Sequence, residues 1–495
     1  MPSYYGQSSS LFTKVISELL SVYLSARYRQ SLHQSYPSLS VRPSKLVDGA
    51  TELFYLNDSQ PKTVTDFNSN QLIVGSIRMG YSHHRIARSV LSWLEPADRP
   101  ILHDLLSIDS SDSGFIRDME ALYSFLSRLS VNFGGGAEYL WSQLLTLGSI
   151  DSLMISTDLA RRYANYFHSF KKDQPYLATY PFASQIAVAA GLTNVINIIP
   201  DTYSKYYMLS PNSLNLVQTE SSYQSYISMN VPKTEVRFVG HFVPRNIVES
   251  VVFDSENRIL RRQQKRPMRC LLSLGGIGLQ IDLMRQLITK LLPILEDTKS
   301  QTKLHLLINT GEHTQFATSL VNLLESRKIA FTEVDSQEGL SRFCNWHKLD
   351  SDEPSHSVTI FRFNQYELAL RASDDLIRCA DLLIVRPSQI AFFPIPKILL
   401  KRLVEHEKST SNYLQKIDEC DGESKTATEA ANKIILLCKD SSQNRLIEQS
   451  KSILQKYRSN LYHGAKIASE IGKTQSQKFI DLATNGLKAQ NQHLS

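Results

Sequence analysis

Met268-Arg-Cys-Leu-Leu-Ser-Leu-Gly-Gly-Ile-Gly278 decides how this chain is read. Cys270 to Leu274 is a mostly apolar run of strand length, it stops on a glycine-rich turn, and a helical pattern over 279–295 follows. The unit then repeats: a strand at Leu304–Ile308, Gly311, and a helix over 314–326. Val358–Phe361 and Asp381–Val385 supply later strands, with a helix over about 366–379 between them. Strands apolar on both faces and alternating with helices predict a parallel sheet covered on both sides.

Upstream the same rhythm is present. Gln71-Leu-Ile-Val-Gly-Ser-Ile77 leads through a glycine turn into a helical pattern with Ile86, Val90, Leu91 and Trp93. Helices are expected around 115–131 and 137–147, on either side of Gly134-Gly-Gly136. Short strands are expected at Ser152–Ser156, Tyr176–Tyr180, Val195–Ile199, Asn215–Gln218 and Val236–Val239, with a helix over Pro181–Ala190 that carries proline at its start. Residues 254–267 break the pattern, with Arg258, Arg261, Arg262, Lys265 and Arg266 before Pro267, and predict a basic linker. The expected fold is α/β, with two Rossmann-like doubly wound parallel-sheet domains at 66–253 and 268–405 facing a cleft. Residues 1–65 form an N-terminal extension and 406–495 a helical C-terminal region with a polar tail.

Composition narrows the class. The 495 residues exceed one ordinary core and suit two domains. No stretch reaches the ~18 apolar residues a spanning helix needs. Five cysteines without CxxC or CxxH spacing argue against structural zinc and a secreted disulfide framework, which favours a reducing, cytoplasmic setting. A net charge of +6 suits anionic small ligands or an acidic lipid surface and does not indicate nucleic acid. Leu11, Phe12, Val15, Ile16, Leu19, Leu20, Tyr23 and Leu24 have the spacing of an amphipathic helix. Such a helix packs on its own domain, lies on a membrane surface, or belongs to an organelle-targeting segment.

Four loops carry the residues suited to chemistry. Ser76-Ile-Arg-Met-Gly-Tyr-Ser-His-His84 ends the first clear strand, and His83 or His84 there can exchange protons or simply cap a helix. Asp201 follows a buried strand and is either a general base or a turn cap. Gly275, Gly276 and Gly278 let a phosphate approach backbone amides, and Asn309, Thr310 and Gly311 form a second polar loop on the same edge. The glycine loop lacks both dinucleotide-fold spacing and the P-loop lysine. Arg386, Ser388 and Gln389, after Asp381-Leu-Leu-Ile-Val385, place a guanidinium and two hydrogen-bonding side chains at a strand end, unless that loop is only a rigid support.

Together these residues resemble the GT-B glycosyltransferases, in particular the branch containing monogalactosyldiacylglycerol synthase and the peptidoglycan lipid-intermediate N-acetylglucosaminyltransferase. Met79-Gly-Tyr-Ser-His-His84, Ile198-Ile-Pro-Asp-Thr202, Val236-Arg-Phe-Val-Gly-His-Phe-Val-Pro244, Gly275-Gly-Ile-Gly278 and Cys379-Ala-Asp-Leu-Leu-Ile-Val-Arg-Pro387 carry the likeness, over about residues 70–400. The resemblance implies transfer of sugar from a UDP-linked donor to a hydroxyl, with a lipid as one acceptor class, and needs no metal or permanent cofactor. His83, His84 or Asp201 would take the acceptor proton, and the second domain would hold the donor. Gln389 stands where the family has a ribose-binding Glu, so a 2-epimerase using Glu312 and Glu338, or a non-catalytic binding protein, are the alternatives.

Overall fold

The computed structural model of the chain describes residues 3–8, 38–56, 71–108, 150–276, 278, 280–296, 304–348, 356–403, 407–439 and 445–474. The helices expected within 11–24, 115–131 and 137–147, and the polar C-terminal tail, lie outside the described residues.

The first half contains β1 (Leu39–Pro43), β2 (Thr51–Tyr55), β3 (Ile73–Ser76), α1 (Ser82–Leu91), β4 (Ile101–Asp104), α2 (Ile150–Arg162), β5 (Tyr176–Ala178), α3 (Pro181–Ala189), β6 (Val195–Ile198), β7 (Leu214–Val217), α4 (Glu220–Ser228) and β8 (Val236–Phe238). Next come α5 (Arg245–Val248), α6 (Val251–Gln263), β9 (Met268–Ser273), α7 (Ile281–Glu296), β10 (Leu304–Gly311), α8 (Thr314–Ser326), β11 (Phe331–Val334), α9 (Gln337–Lys348), β12 (Val358–Arg362) and α10 (Tyr366–Ile377). β13 (Leu382–Val385), β14 (Lys397–Leu400), α11 (Glu407–Lys416), β15 (Glu423–Ser424), α12 (Ala427–Lys439), α13 (Arg445–Arg458) and α14 (Gly464–Lys473) complete it.

Two sheets result. The first has the order β1-β2-β4-β3-β5-β6-β7-β8 and is parallel except for the β1/β2 pair. The second, β11-β12-β10-β9-β13-β14-β15, is parallel throughout. The short strands β3, β5, β6, β7 and β13 are buried along their whole length, as expected of strands covered on both faces. In the second core, Cys270, Leu272, Leu306, Ile308, Ile360 and Ile384 pack with Leu287, Ile288 and Leu291 of α7.

Strand order fixes where ligands can be received. From β3 the chain steps to β4 on one side, and from β5 it proceeds to β6 on the other. The direction of winding therefore switches between the neighbours β3 and β5. In the second sheet the switch lies between β9 and β13. Loops leaving the carboxyl ends of such strand pairs are the usual ligand edge of an open α/β sheet.

Two expectations differ from the structure. Ser152–Ser156, expected as a strand, lies inside α2, because a short apolar run does not distinguish a strand from a buried helical turn. The stretch 254–267, expected as a linker, is helical through Gln263, and Arg258, Arg261 and Arg262 are buried. Arg258 donates to the carbonyls of Ile377 (3.0 Å), Ala380 (2.9 Å) and Pro394 (3.2 Å). Arg262 donates to Leu437 (2.8 Å). Arg261 meets Asp381 at 3.3 Å and the Pro267 carbonyl at 2.7 Å. Arg258 at Ile377 and Arg262 at Leu437 thereby donate to carbonyls of the last turns of α10 and α12, which a helix leaves open at its end.

The chain divides into two compact units, one up to Pro244 and again from His463, the other Arg245–Tyr462. The expected C-terminal region is thereby split, with α11 to α13 in the second unit and α14 in the first. α14 is fastened there by a Phe242–His463 bridge, by the Gly464 amide donating to His241 (3.0 Å) and by Lys473 meeting Asp98 at 2.6 Å. A Cβ at Gly464 would stand 2.3 Å from the Gly240 carbonyl oxygen, so the close approach of the two backbones requires glycine.

Candidate functional site

In the first unit the residues at the switch point are already in contact. His83, in the first turn of α1, places Nδ1 2.6 Å from the carbonyl oxygen of Thr179, which follows β5. The carbonyl can only accept, so the proton resides on Nδ1 and Nε2 of the neutral ring carries a lone pair. Nε2 meets no hydrogen-bond partner among the described residues. Tyr180 packs edge-on against the imidazole, with centroids 5.1 Å apart. Burial lowers the His83 pKa below the usual histidine value; the Thr179 carbonyl and the charge of Asp201 oppose that shift, and His84 adds to it. Thr179 Oγ1 donates to Ser76 Oγ at 3.0 Å, joining the two loops a second time.

His84 faces another way. It is buried, and its Nε2 is 3.4 Å from the Asp104 carboxylate at the end of β4. Asp104 also accepts from the Leu106 amide (3.0 Å). Burial alone would raise the Asp104 pKa, but the neighbouring His84, the Leu106 amide and the His103 ring bring it below the ordinary carboxylate value. A carboxylate here also lies near the positive end of α1. Asp201, half-buried after β6, is close enough to His83 to act on it electrostatically. Its loop is tied down by Gln218, which donates to the Pro200 carbonyl, and by Ser222 Oγ, which donates to that of Thr202 at 3.1 Å.

In the second unit the glycine loop leaves β9 and the Arg386 loop leaves β13, on either side of the switch point. Gly275 is exposed, and its carbonyl accepts from the Gly278 amide (3.0 Å) and from His313 Nε2 (3.0 Å). Gly278 has φ +65°, and a Cβ there would come 2.6 Å from His313 Cε1. The glycine is thus required by the histidine as well as by the turn. Arg386 is partly exposed, 3.3 Å from buried Glu407 at the head of α11, whose other oxygen accepts from the Leu403 amide (2.9 Å). Ser388 is half-buried and heads a short turn of helix, and Gln389 is buried within that turn.

Asn309 and Thr310 do not join that edge as ligand groups. β10 continues to Gly311, so both side chains are enclosed within the sheet. Asn309 donates to Ser373 Oγ (2.9 Å) and accepts from the Gly311 amide (3.0 Å), and Thr310 donates to the Phe361 carbonyl (2.9 Å). Sequence reading missed Thr179, Asp104 and Glu407. Asp104 carried a usable signal, since Ile101-Leu-His-Asp104 repeats the buried-strand-then-carboxylate pattern that drew attention to Asp201.

Two family models divide the chain between them. Residues 22–228 match the domain of unknown function DUF6937, and residues 231–472 match the domain of unknown function DUF6938. That division falls ahead of β8, whereas the compact units separate after Pro244. No curated protein matches the chain. Among solved structures, the chain is similar to the trehalose 6-phosphate synthase of Burkholderia multivorans at 10% identity and TM-score 0.41, over 86% of this chain and 98% of that one. It is similar to Anabaena HepE in complex with UDP and glucose at 11% and 0.37, over 81% and 99%. CalG4, the calicheamicin glycosyltransferase, gives 10% and 0.38, over 81% and 97%. At these values function has to be argued from the residues themselves. Among the described residues no helix is long and apolar enough to cross a membrane, and no group of three or more His, Cys, Asp or Glu is placed to hold a metal ion.

Proposed function

We propose that this chain is a GT-B-type glycosyltransferase that moves a sugar from a nucleotide-sugar donor, UDP-linked, to a hydroxyl acceptor. The observation that carries the reading is His83. Its Nδ1 proton is committed to Thr179, its Nε2 retains a lone pair, and burial keeps the ring neutral, all at the winding switch of the first unit. That is the state a general base needs before it accepts a proton from an attacking hydroxyl. Asp201 would stabilise the imidazolium that forms, while His84, held against Asp104, would fix the first turn of α1 and take no proton from substrate. In the second unit, Gly275, Gly276, Gly278 and Arg386 would receive the donor diphosphate, with Ser388 and Gln389 beside them, so that a guanidinium and backbone dipoles oppose the charge of the leaving group. A lipid is the finer acceptor assignment.

Incubation of the full chain with UDP-sugars and simple hydroxyl acceptors tests the reading. Release of UDP together with a glycosylated product supports it. An epimerised sugar nucleotide would replace it with epimerase chemistry, and failure of UDP and UDP-sugars to bind would replace it with a binding protein.

A further inference from the structure

A short N-terminal turn is attached to the loop that carries Asp201. Tyr4 and Gln7 exchange backbone bonds (3.1 and 2.9 Å), with Tyr5 at φ +53° and Gly6 at φ +77° between them. Two successive positive φ values define a tight hairpin turn, and a tyrosine adopts the first of them only when its surroundings compensate. The compensation is visible. The Tyr5 ring stacks on that of Tyr206 (centroids 6.4 Å, 24° between planes), and its hydroxyl donates to Glu235 at 3.2 Å. Gln7 Nε2 donates to the Tyr206 hydroxyl (3.0 Å), which in turn donates to the Met229 carbonyl (3.0 Å). Tyr206 lies five residues beyond Asp201, and between them Tyr226 Oη accepts from the Lys205 amide (3.2 Å).

We infer that the turn Tyr4–Gln7 is a positioning element for the Asp201 loop, acting through Tyr206, so that Tyr5 and Gln7 are positioning residues for the acceptor side of the site. The inference rests on the reading above for its catalytic consequence and on geometry alone for the attachment. The loop has the Tyr226 hydroxyl beneath it from α4, but only the N-terminal turn adds both a ring against Tyr206 and a second bond to its hydroxyl among the described residues. Without the turn, 201–208 would open more often while both sheets stay folded.

The test uses the full chain carrying Tyr5→Ala with Gln7→Ala, and Tyr5→Phe as the conservative comparison. Lys205 lies within the loop and reports its opening as the rate of native-state trypsin cleavage after that residue, which tracks the open population when closing is fast. Cleavage after Lys205 should rise about tenfold in the double variant, while cleavage after the exposed Lys171 and Lys172 of the same unit stays as in wild type. Tyr5→Phe, which retains the ring, should stay within about threefold. An unchanged rate at Lys205, or equal acceleration at all three lysines, overturns the attachment. In the transfer assay the double variant should raise the acceptor KM and leave the donor KM unchanged, and a parallel rise in both overturns the acceptor-side role. A wild-type chain without transfer activity overturns the catalytic reading, while the cleavage ratio still decides the attachment.

Discussion

His83 and Thr179 are joined at 2.6 Å across the two strands between which the first sheet reverses its winding, and this contact fixes which imidazole nitrogen can accept a proton. The His83 pKa lies below the usual value, so the ring stays neutral to lower pH than an unperturbed histidine does. Transfer measured as kcat/KM should stay level to lower pH than it would with an unperturbed histidine base and fall where Nε2 becomes protonated. Asp201 opposes the lowering, so Asp201→Asn should move that acid limb to still lower pH. His83→Ala should reduce kcat by about 10² to 10⁴ with donor affinity retained; full activity in that variant would remove His83 from the mechanism.

His84 should behave differently from its neighbour. Asp104→Ala leaves a buried imidazole without its carboxylate and the Leu106 amide without its acceptor, at a cost of about 1 to 3 kcal/mol in urea unfolding. His84→Gln should lower stability by a similar amount and, because His84 adds to the lowering of the His83 pKa, move the acid limb of the remaining activity slightly toward higher pH. Disappearance of the acid limb in His84→Gln, with kcat lost as in His83→Ala, would show that the proton acceptor had been assigned to the wrong histidine.

Arg386 already has an anionic partner in Glu407, so an incoming diphosphate would compete with a carboxylate for the guanidinium. Arg386→Ala should weaken UDP about tenfold or more and leave uridine nearly unaffected, because the lost bonds are charge-assisted and go to phosphate. Glu407→Gln, which removes the competing charge, should shift UDP affinity in the opposite direction. Calorimetric titration of both ligands decides, and an equal loss for UDP and uridine would leave Arg386 a purely structural role.

Lys397 is fully buried, paired with Glu419, which also accepts from the Tyr462 hydroxyl (2.5 Å). It begins β14, at the end of that strand away from the glycine loop, which places it in the framework. Lys397→Met alone should cost about 3 to 5 kcal/mol, since Glu419 is left charged without its cation. Lys397→Met with Glu419→Gln should recover most of that loss in chemical denaturation. If the double variant is no better than the single one, the pair is not an isolated electrostatic unit.

Gly464→Ala forces a methyl group against the Gly240 carbonyl, backbone against backbone, with no flexible side chain to move away. A loss of about 2 kcal/mol or more in stability is expected, with nucleotide binding by the second unit unchanged. Retention of the full melting temperature would mean that α14 is readily displaced.

The central parallel strands of both sheets were legible because apolar runs such as Val195–Ile199 and Asp381-Leu-Leu-Ile-Val385 are continuous and end in Pro-Asp or Arg-Pro, which marks both the strand and its carboxyl edge, whereas β1, β2, β4, β11, β14 and β15 were not. Which side chain at that edge faces a ligand was not legible. His83 and His84 are sequence neighbours whose directions on a helix differ by about 100°, and their separate partners, Thr179 and Asp104, lie at the carboxyl ends of two other strands, β5 and β4. Asn309 and Thr310 read as loop residues because polar side chains ended the apolar run, yet the ladder continues through them with their hydrogen bonds met internally. The arginines of α6 read as part of a basic linker because a sequence does not show that carbonyls at the ends of α10 and α12 accept from them.

The return of α14 to the first unit makes the second unit an insertion, in the topological sense, between Pro244 and His463. During synthesis the face that receives α14 must wait while more than two hundred residues are added, roughly ten to forty seconds at typical elongation rates. Throughout that interval Leu72, which packs against Gly472 in the finished protein, lacks its cover. The second unit has all its own elements before α14 emerges, so it can be complete while the first unit still lacks that helix.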